Sequence, residues 1–491
     1  MADPHASGWM PLTLPQLDFW EEYVLQPDQP LSTVAHYLDL AGDVDGAALR
    51  AAVTKAVGES DVLGIRFRLP PGGTTPEQAC DPERIPLVKM LDVRGEEDPV
   101  AAAHALMRAD VEAPLDLLTD PLSVTWLLRV ENKRYFWYLR AHHIVLDGFG
   151  ISLIEQRCAH IYGHLVGGAD AGPPFHRFES FIAEEAAYGA SPRHGADSAY
   201  WRDYLAPATR LPVVHKDDEG YRSSGLEHEE ALPEAFCAAL RKASSRTGIG
   251  WPDLLVILSG AYLSHHLGRT RSPDDGPLTL WLPFMSRWGS VGAHMPAMLV
   301  NILPLHVDVA AQETLGGYLT RMAGVLRKQR SHGRYRIEQM AADHGIGRGA
   351  RYLFSPLVNV LPFNPAVFAG CEATRHVLAN GPGDGFEVTF RGRDDASGLT
   401  LNLDADPALV PPEAFHGHAR DLPAFILRAL TEMDLGRALS TLHPDAVRAG
   451  GGAGDKVRSR MLSVEAAEDR HAHELVSSGP PMPQNARHAR A

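Results

Sequence analysis

The chain has 491 residues, 45% of them apolar and 22% charged, the balance of a globular protein long enough for two lobes rather than one compact core. Its formal charge of −15 excludes the basic footprint of a nucleic-acid binder and disfavours an anionic membrane surface. Four scattered cysteines (Cys80, Cys158, Cys237, Cys371) show no CxxC spacing, and no signal sequence or apolar run of membrane-spanning length is read, so reduced thiols in the cytoplasm are expected.

Thr13 can cap a helix with Pro15 in its first turn, and Leu17, Trp20 and Val24 repeat at the spacing of one buried face. Val34–Leu40 alternates as a strand, Asp45 opens a helix with Leu49, Val53 and Val57 on one side, and Val62–Phe67 reads as a short strand. A helix over Ala101–Asp110 and a strand over Leu122–Val130 follow. The aromatic run Tyr135–Leu139 reads as a buried strand, and a helix beginning near Phe149 places Ile151, Ile154, Cys158, Ile161 and Leu165 on one face. Val166–Pro174 is rich in Gly and Pro and reads as a linker, which sets the expected lobes at residues 1–170 and 171–445.

Beyond it, Phe178–Leu205 is mostly helical, Trp251–Leu267 is an apolar helix and Leu278–Leu282 a strand. A glycine-containing loop, Pro283–Pro296, precedes a strand-like Ala297–Val307 and a helix over Thr314–Ser331. Ser355–Phe363, Glu387–Arg391 and Leu399–Asp404 are strand candidates, and Pro411–Thr431 is a closing helix. Residues 446–491, with Gly451–Gly454 and a Pro-, His- and Arg-rich end, read as a disordered tail.

The chemistry is concentrated between the aromatic strand and the helix after it, in His142-His143-Ile144-Val145-Leu146-Asp147-Gly148. Two histidines at a strand end, an Asp four residues after the second, and a Gly that lets backbone approach a ligand suit proton transfer. Asp147-Gly148 also fits a plain helix N-cap with its turn glycine. Metal binding is the weaker reading: neighbouring residues of an extended segment point to opposite faces, and no third ligand stands at a suitable spacing.

This string is the HHxxxDG motif, and on it the sequence resembles the condensation domains of nonribosomal peptide synthetases within the chloramphenicol-acetyltransferase-like superfamily. The resemblance extends to the opening segment PLTLPQLDFWEEY, where Gln16 and Trp20 are kept in kind and Pro15 replaces the usual Ala, and to AYWRDYL with Trp201 and Tyr204. It continues through Arg287 in its loop, Val300, Asn301, Pro304 and Leu305, and SPLVNVLPF with Asn359. Gly58-Glu59-Ser60-Asp61 departs from the family's usual Arg-His-Glu, a divergence similar to the siderophore-type branch.

The resemblance implies an α+β fold of two chloramphenicol-acetyltransferase-like lobes in a V-shaped pseudo-dimer, with the active site in an interlobe tunnel. It implies that His143 is the general base or the residue that positions the amine, that Gly148 donates its N–H to the oxyanion, and that His142 holds the loop. Asp147 would pair with Arg287 as a structural salt bridge, while Asn301, Trp201 and Asn359 would line the tunnel, Trp201 chiefly as a packing residue. The implied reaction joins a donor acyl or aminoacyl thioester to an amine acceptor, each delivered on the phosphopantetheine arm of a peptidyl or aryl carrier protein. No cofactor or metal would be held by the protein itself, and a monomer without nucleic-acid or membrane partners is expected. The alternatives are a related acyltransferase that forms an ester or takes an acyl-CoA donor or free acceptor, and a catalytically silent docking platform, against which the intact His143 and Asp147 argue.

Overall fold

The computed structural model describes residues 8–443 except 28, 207–210, 219–220, 222–224, 269–275 and 382, so the expected tail at 446–491 lies outside the described residues. Two compact units share the chain: Met1–Val309 with Leu319–Thr431, and Ala310–Tyr318 with the chain from Glu432. In the smaller unit Thr314 bridges Ala438, and Leu315 and Gly316 donate backbone bonds to Arg437 and Leu435.

The larger unit holds two main sheets. Among the described residues the first has the strand order Cys371–Asn380, Thr33–Gly42, Arg134–His142, Ser123–Glu131, Lys89–Asp92, antiparallel except for the last pair. Its central strand, Arg134–His142, is buried almost throughout because both faces are covered. Trp137, Leu139 and Ala141 point into a core shared with the helices Leu14–Leu25, Gly46–Gly58 and Gly148–Gly167. Phe136 and Tyr138 point the other way, onto Ala103 and Met107 of the helix Pro99–Val111. A period of two thus explains why the run reads as uniformly aromatic rather than alternating.

The second sheet has the order Asn301–Val307, Leu278–Phe284, Leu357–Pro362, Phe386–Gly392, Thr400–Ala405, Leu226–Ala231, and is mixed. Val388, Phe390, Leu401 and Leu403 form its fully buried face. Its other face is polar: Asn359, Thr389 and Asn402 stand in register across three strands, and Glu387 stands opposite Asp404. The α+β class expected from the sequence is therefore present, and the two sheets do not divide at one point in the chain, because Cys371–Asn380 pairs with Thr33–Gly42 in the first sheet.

Several expected elements are shifted. Val62–Phe67 is a 3-10 turn over Asp61–Gly64 followed by a strand over Ile65–Arg68. Only Asn301–Val307 of the expected Ala297–Val307 strand is a strand, because the N–H groups of Met298, Leu299 and Val300 bond to Val145 and Asp147 instead of to a ladder. The first helix buries Gln16, Phe19, Trp20 and Glu22, and Val24 is left 56% exposed. The long helix runs on to Gly167, where Gly168 caps it at φ 71°, and Leu165 lies 48% exposed beyond the buried Ile151–Ile161 stripe. Among the described residues, no helix is long and apolar enough to cross a membrane.

Candidate active site

The site is built where the Arg134–His142 strand gives way to the Gly148–Gly167 helix. The strand's last residue, His142, donates its N–H to Leu122 O at 2.8 Å. Its Nδ1 accepts the Ile144 N–H at 3.1 Å, which places the ring proton on Nε2. His142 thus closes the turn, as expected from the sequence. His143 leaves the ladder: its N–H donates to Ser32 O at 2.7 Å, and its ring stacks on Phe19, centroids 5.2 Å apart at 15°. A Cβ placed on Gly381, a residue at φ 73°, would come within 3.5 Å of the His143 ring, so this glycine lets the chain pass close beside the imidazole. His143 is half-buried, whereas His142 is buried.

Asp147 is the anchor of the loop. As N-cap it accepts the Gly150 N–H at 2.7 Å. Both carboxylate oxygens also accept from Arg287 Nη2 at 2.8 Å, and Oδ2 accepts the N–H groups of Leu299 and Val300 at 3.0 and 3.1 Å. Arg287 in turn donates to the carbonyls of Gly292 (2.8 Å), Met295 (2.6 Å) and Ala297 (2.9 Å), with Phe149 beneath its guanidinium at 5.0 Å. Asp147 and Arg287 are both only 3% exposed. A buried pair with this many hydrogen bonds is held in one geometry, and removing one partner leaves the other charged and unsatisfied. The pairing of Asp147 with Arg287 inferred from the family resemblance is present in full.

Gly148 opens the helix, and a Cβ there would meet nothing within 4 Å. Its position at a helix N-terminus, beside the His143 turn, is one where backbone N–H groups and the helix dipole favour negative charge. Gly150 is the opposite case: a Cβ there would come 2.7 Å from Leu146 Cδ1 and 3.3 Å from Ala297 N.

Two expectations about the site are corrected. Asn301 is fully buried, donating to the Gly333 and Tyr335 carbonyls and accepting the N–H groups of Ile302 and Ile337, each near 2.9–3.0 Å. Trp201, 1% exposed, donates its indole N–H to His332 O at 2.9 Å. Both are buried, and their hydrogen bonds fasten loops. Asn359 is half-buried on the polar sheet face opposite Thr389.

Sequence reasoning missed Phe19, Ser32, Gly150 and Gly381. Phe19 sits inside the opening motif, but Trp20 drew the attention; Ser32 and Gly381 act through backbone, which leaves little mark in residue type. The polar face of the second sheet was missed as well. On it burial pushes the Glu387 carboxyl up to about 7, with Asp404 adding to the rise, and burial takes Asp404 up to about 6. On the first sheet, burial holds His36 down to about 3, with Arg375 and Arg391 adding to the effect, so this imidazole is neutral.

A histidine pair at a strand end, a buried Asp–Arg clasp and a helix N-terminus with open space at its first glycine make up the site. The condensation-domain family model matches residues 6–438, and the chain belongs to that family. It is 33% identical over 400 residues to the dimodular nonribosomal peptide synthase of Bacillus subtilis, which covers 81% of this chain and 16% of that protein. It is 31% identical over 430 residues to enterobactin synthase component F of Escherichia coli O157:H7, covering 86% of this chain and 32% of the relative. The chain therefore spans less than a third of the length of these curated relatives. The crystal structure of VibH, an NRPS condensation enzyme, superposes with a TM-score of 0.79 at 34% identity, covering 87% of this chain and 100% of that one.

Proposed function

We propose that the protein forms an amide bond between a donor acyl or aminoacyl thioester and an amine acceptor, each presented on the phosphopantetheine arm of a carrier protein. The amine nitrogen attacks the thioester carbonyl carbon, the carbonyl oxygen takes up the negative charge, and the tetrahedral adduct collapses with loss of the pantetheine thiol. His143 accepts or positions the amine proton and returns it to the departing sulfur, so no proton is gained or lost overall. The Gly148 N–H stabilises the oxyanion at the helix N-terminus. His142 and the Asp147–Arg287 clasp hold the turn that sets this geometry, and the Asn359 face receives the substrate. The observation that carries this reading is the His143 imidazole, half-buried at a strand end beside an open helix N-terminus.

The siderophore-type cast of the sequence, together with its likeness to enterobactin synthase component F, makes an aryl or amino-acid donor the proposed class. The protein works as a monomer in the cytoplasm, with carrier proteins as its partners and without a cofactor of its own. Intact-protein mass spectrometry of carriers loaded with candidate acyl groups tests this. The reading expects a carrier-to-carrier mass shift that His143→Ala abolishes. Turnover from acyl-CoA, or onto a free alcohol, with no transfer between carriers, moves the activity to ester-forming acyltransfer.

A further inference from the structure

The ring of His143 is supported from the Leu14–Leu25 helix, and that helix carries two buried groups on the same side, three residues apart: Phe19 and Glu22. Phe19 stacks on the imidazole. Glu22, 3% exposed, accepts the hydroxyl of Ser32 on Oε1 and that of Tyr221 on Oε2, the latter at 3.1 Å. Ser32 is the residue whose carbonyl accepts the His143 N–H. One carboxylate therefore grips the side chain of the residue whose backbone holds His143.

The chain of bonds continues away from the site. The Tyr221 hydroxyl, while donating to Glu22, accepts Arg351 Nε at 2.8 Å. Arg351 forms a two-pronged ion pair with Asp384, and Asp384 also accepts the Phe354 N–H at 3.1 Å. Tyr221, Arg351 and Asp384 are all less than a tenth exposed. Asp384 lies three residues from Gly381, whose N–H donates to Thr33 O and whose backbone runs beside the His143 ring. The network leaves His143 through Ser32 and ends at Asp384, a residue close in sequence to the glycine beside the His143 ring. Buried networks with every donor answered hold a single geometry, and a displacement of about 1 Å at a reacting group costs on the order of a hundredfold in rate.

We propose that Glu22 is a positioning residue for His143, fixing the imidazole through Ser32 and Phe19 and itself fixed by Tyr221, Arg351 and Asp384. This rests on the reading of His143 as the reacting imidazole, but its test does not need turnover. Replacing Glu22 by Gln leaves a single carbonyl oxygen where two hydroxyls now donate, so one of them loses its acceptor.

The test uses the full-length protein labelled with ¹³C at histidine Cε1, the His143 signal being assigned by its loss in His143→Ala. Glu22→Gln and Tyr221→Phe are expected to shift and broaden that signal and to speed carbethoxylation of His143 by diethyl pyrocarbonate about tenfold, the scale of a modest misplacement. In the transfer assay both lower kcat and leave KM unchanged. The control is Asp18→Asn, which removes the charge of an ion pair between the same helix and Lys216 that does not run through Ser32; it is expected to leave the His143 signal in place. An unmoved His143 signal in both Glu22→Gln and Tyr221→Phe overturns the proposal, and so does an equal disturbance by Asp18→Asn, which would mark a general loosening of the helix. If Glu22→Gln does not fold, Tyr221→Phe decides alone. A His143→Ala protein that still transfers acyl groups would remove the catalytic reading of His143 while leaving the resonance result to stand or fall separately.

Discussion

Gly148 and Gly150 are two residues apart in one helical turn, yet they belong to different regions of the site. Around Gly150 everything is closed: Asp147 caps its N–H, Leu146 and Ala297 crowd its α-carbon, and Arg287 locks the cap from below. Around Gly148 and His143 the protein leaves room, with no atom within 4 Å of a Cβ at Gly148 and a half-buried imidazole beside it. The closed region supplies rigidity, and in the proposed reaction the open one supplies reactivity. Substitutions on the closed side should therefore change stability first, and those on the open side should change rate first.

The largest stability effect is expected at the clasp. Asp147→Ala strands the buried Arg287 charge and should cost about 3–5 kcal/mol in chemical denaturation. Arg287→Ala should cost a similar amount, and the double variant should cost clearly less than the sum of the two, because each single change already breaks the same pair. Additive losses would mean that the two residues act independently. Gly150→Ala comes next: overpacking against Leu146 and Ala297 should destabilise by about 1–3 kcal/mol, read as a lower denaturation midpoint at unchanged slope.

A pH series sharpens the contrast on the polar sheet face. The Glu387 carboxyl is raised to about 7 in the folded protein, so between its ordinary range and pH 7 the folded state holds a proton that the unfolded chain has released. Stability from this group is complete below that window and falls as pH rises through it. Glu387→Gln should flatten the decline, by about 1–2 kcal/mol near pH 8; an unchanged slope would place the carboxyl in water. The smallest stability effect is expected at Gly148→Ala, within about 0.5 kcal/mol of the parent, since the added methyl meets open space. A loss as large as that of Gly150→Ala would erase the distinction between the two glycines.

Much of this site was legible in the sequence because the residues that hold it are chemically distinctive. The histidine pair, the capping Asp and its Arg partner some 140 positions later stand out by type and by family order. What stayed hidden was mostly polar and buried. Leu17, Trp20 and Val24 suggested one face for the first helix, but the true face includes Gln16 and Glu22. Gln16 is buried because its amide pairs with that of Gln78, and Glu22 because it meets Ser32 and Tyr221. Hydrophobic periodicity cannot register such positions. The strand Cys371–Asn380 escaped notice because its half-buried positions carry small residues, Cys371, Ala373 and Ala379, interrupted by Arg375 and His376, which give only a weak apolar alternation. Asn301 was assigned to the site because it matches a family motif, yet its hydrogen bonds are all internal. A motif letter does not say whether its side chain faces a ligand or its own backbone.

The measurement that bears most directly on the whole account pairs two readings on His143→Ala: its unfolding free energy and its rate of acyl transfer between loaded carriers in a single turnover. The account predicts a stability within about 1 kcal/mol of the parent and a transfer rate lower by roughly 10²–10⁴-fold, the range for a lost general base. Transfer at the parental rate by a folded His143→Ala protein would contradict it.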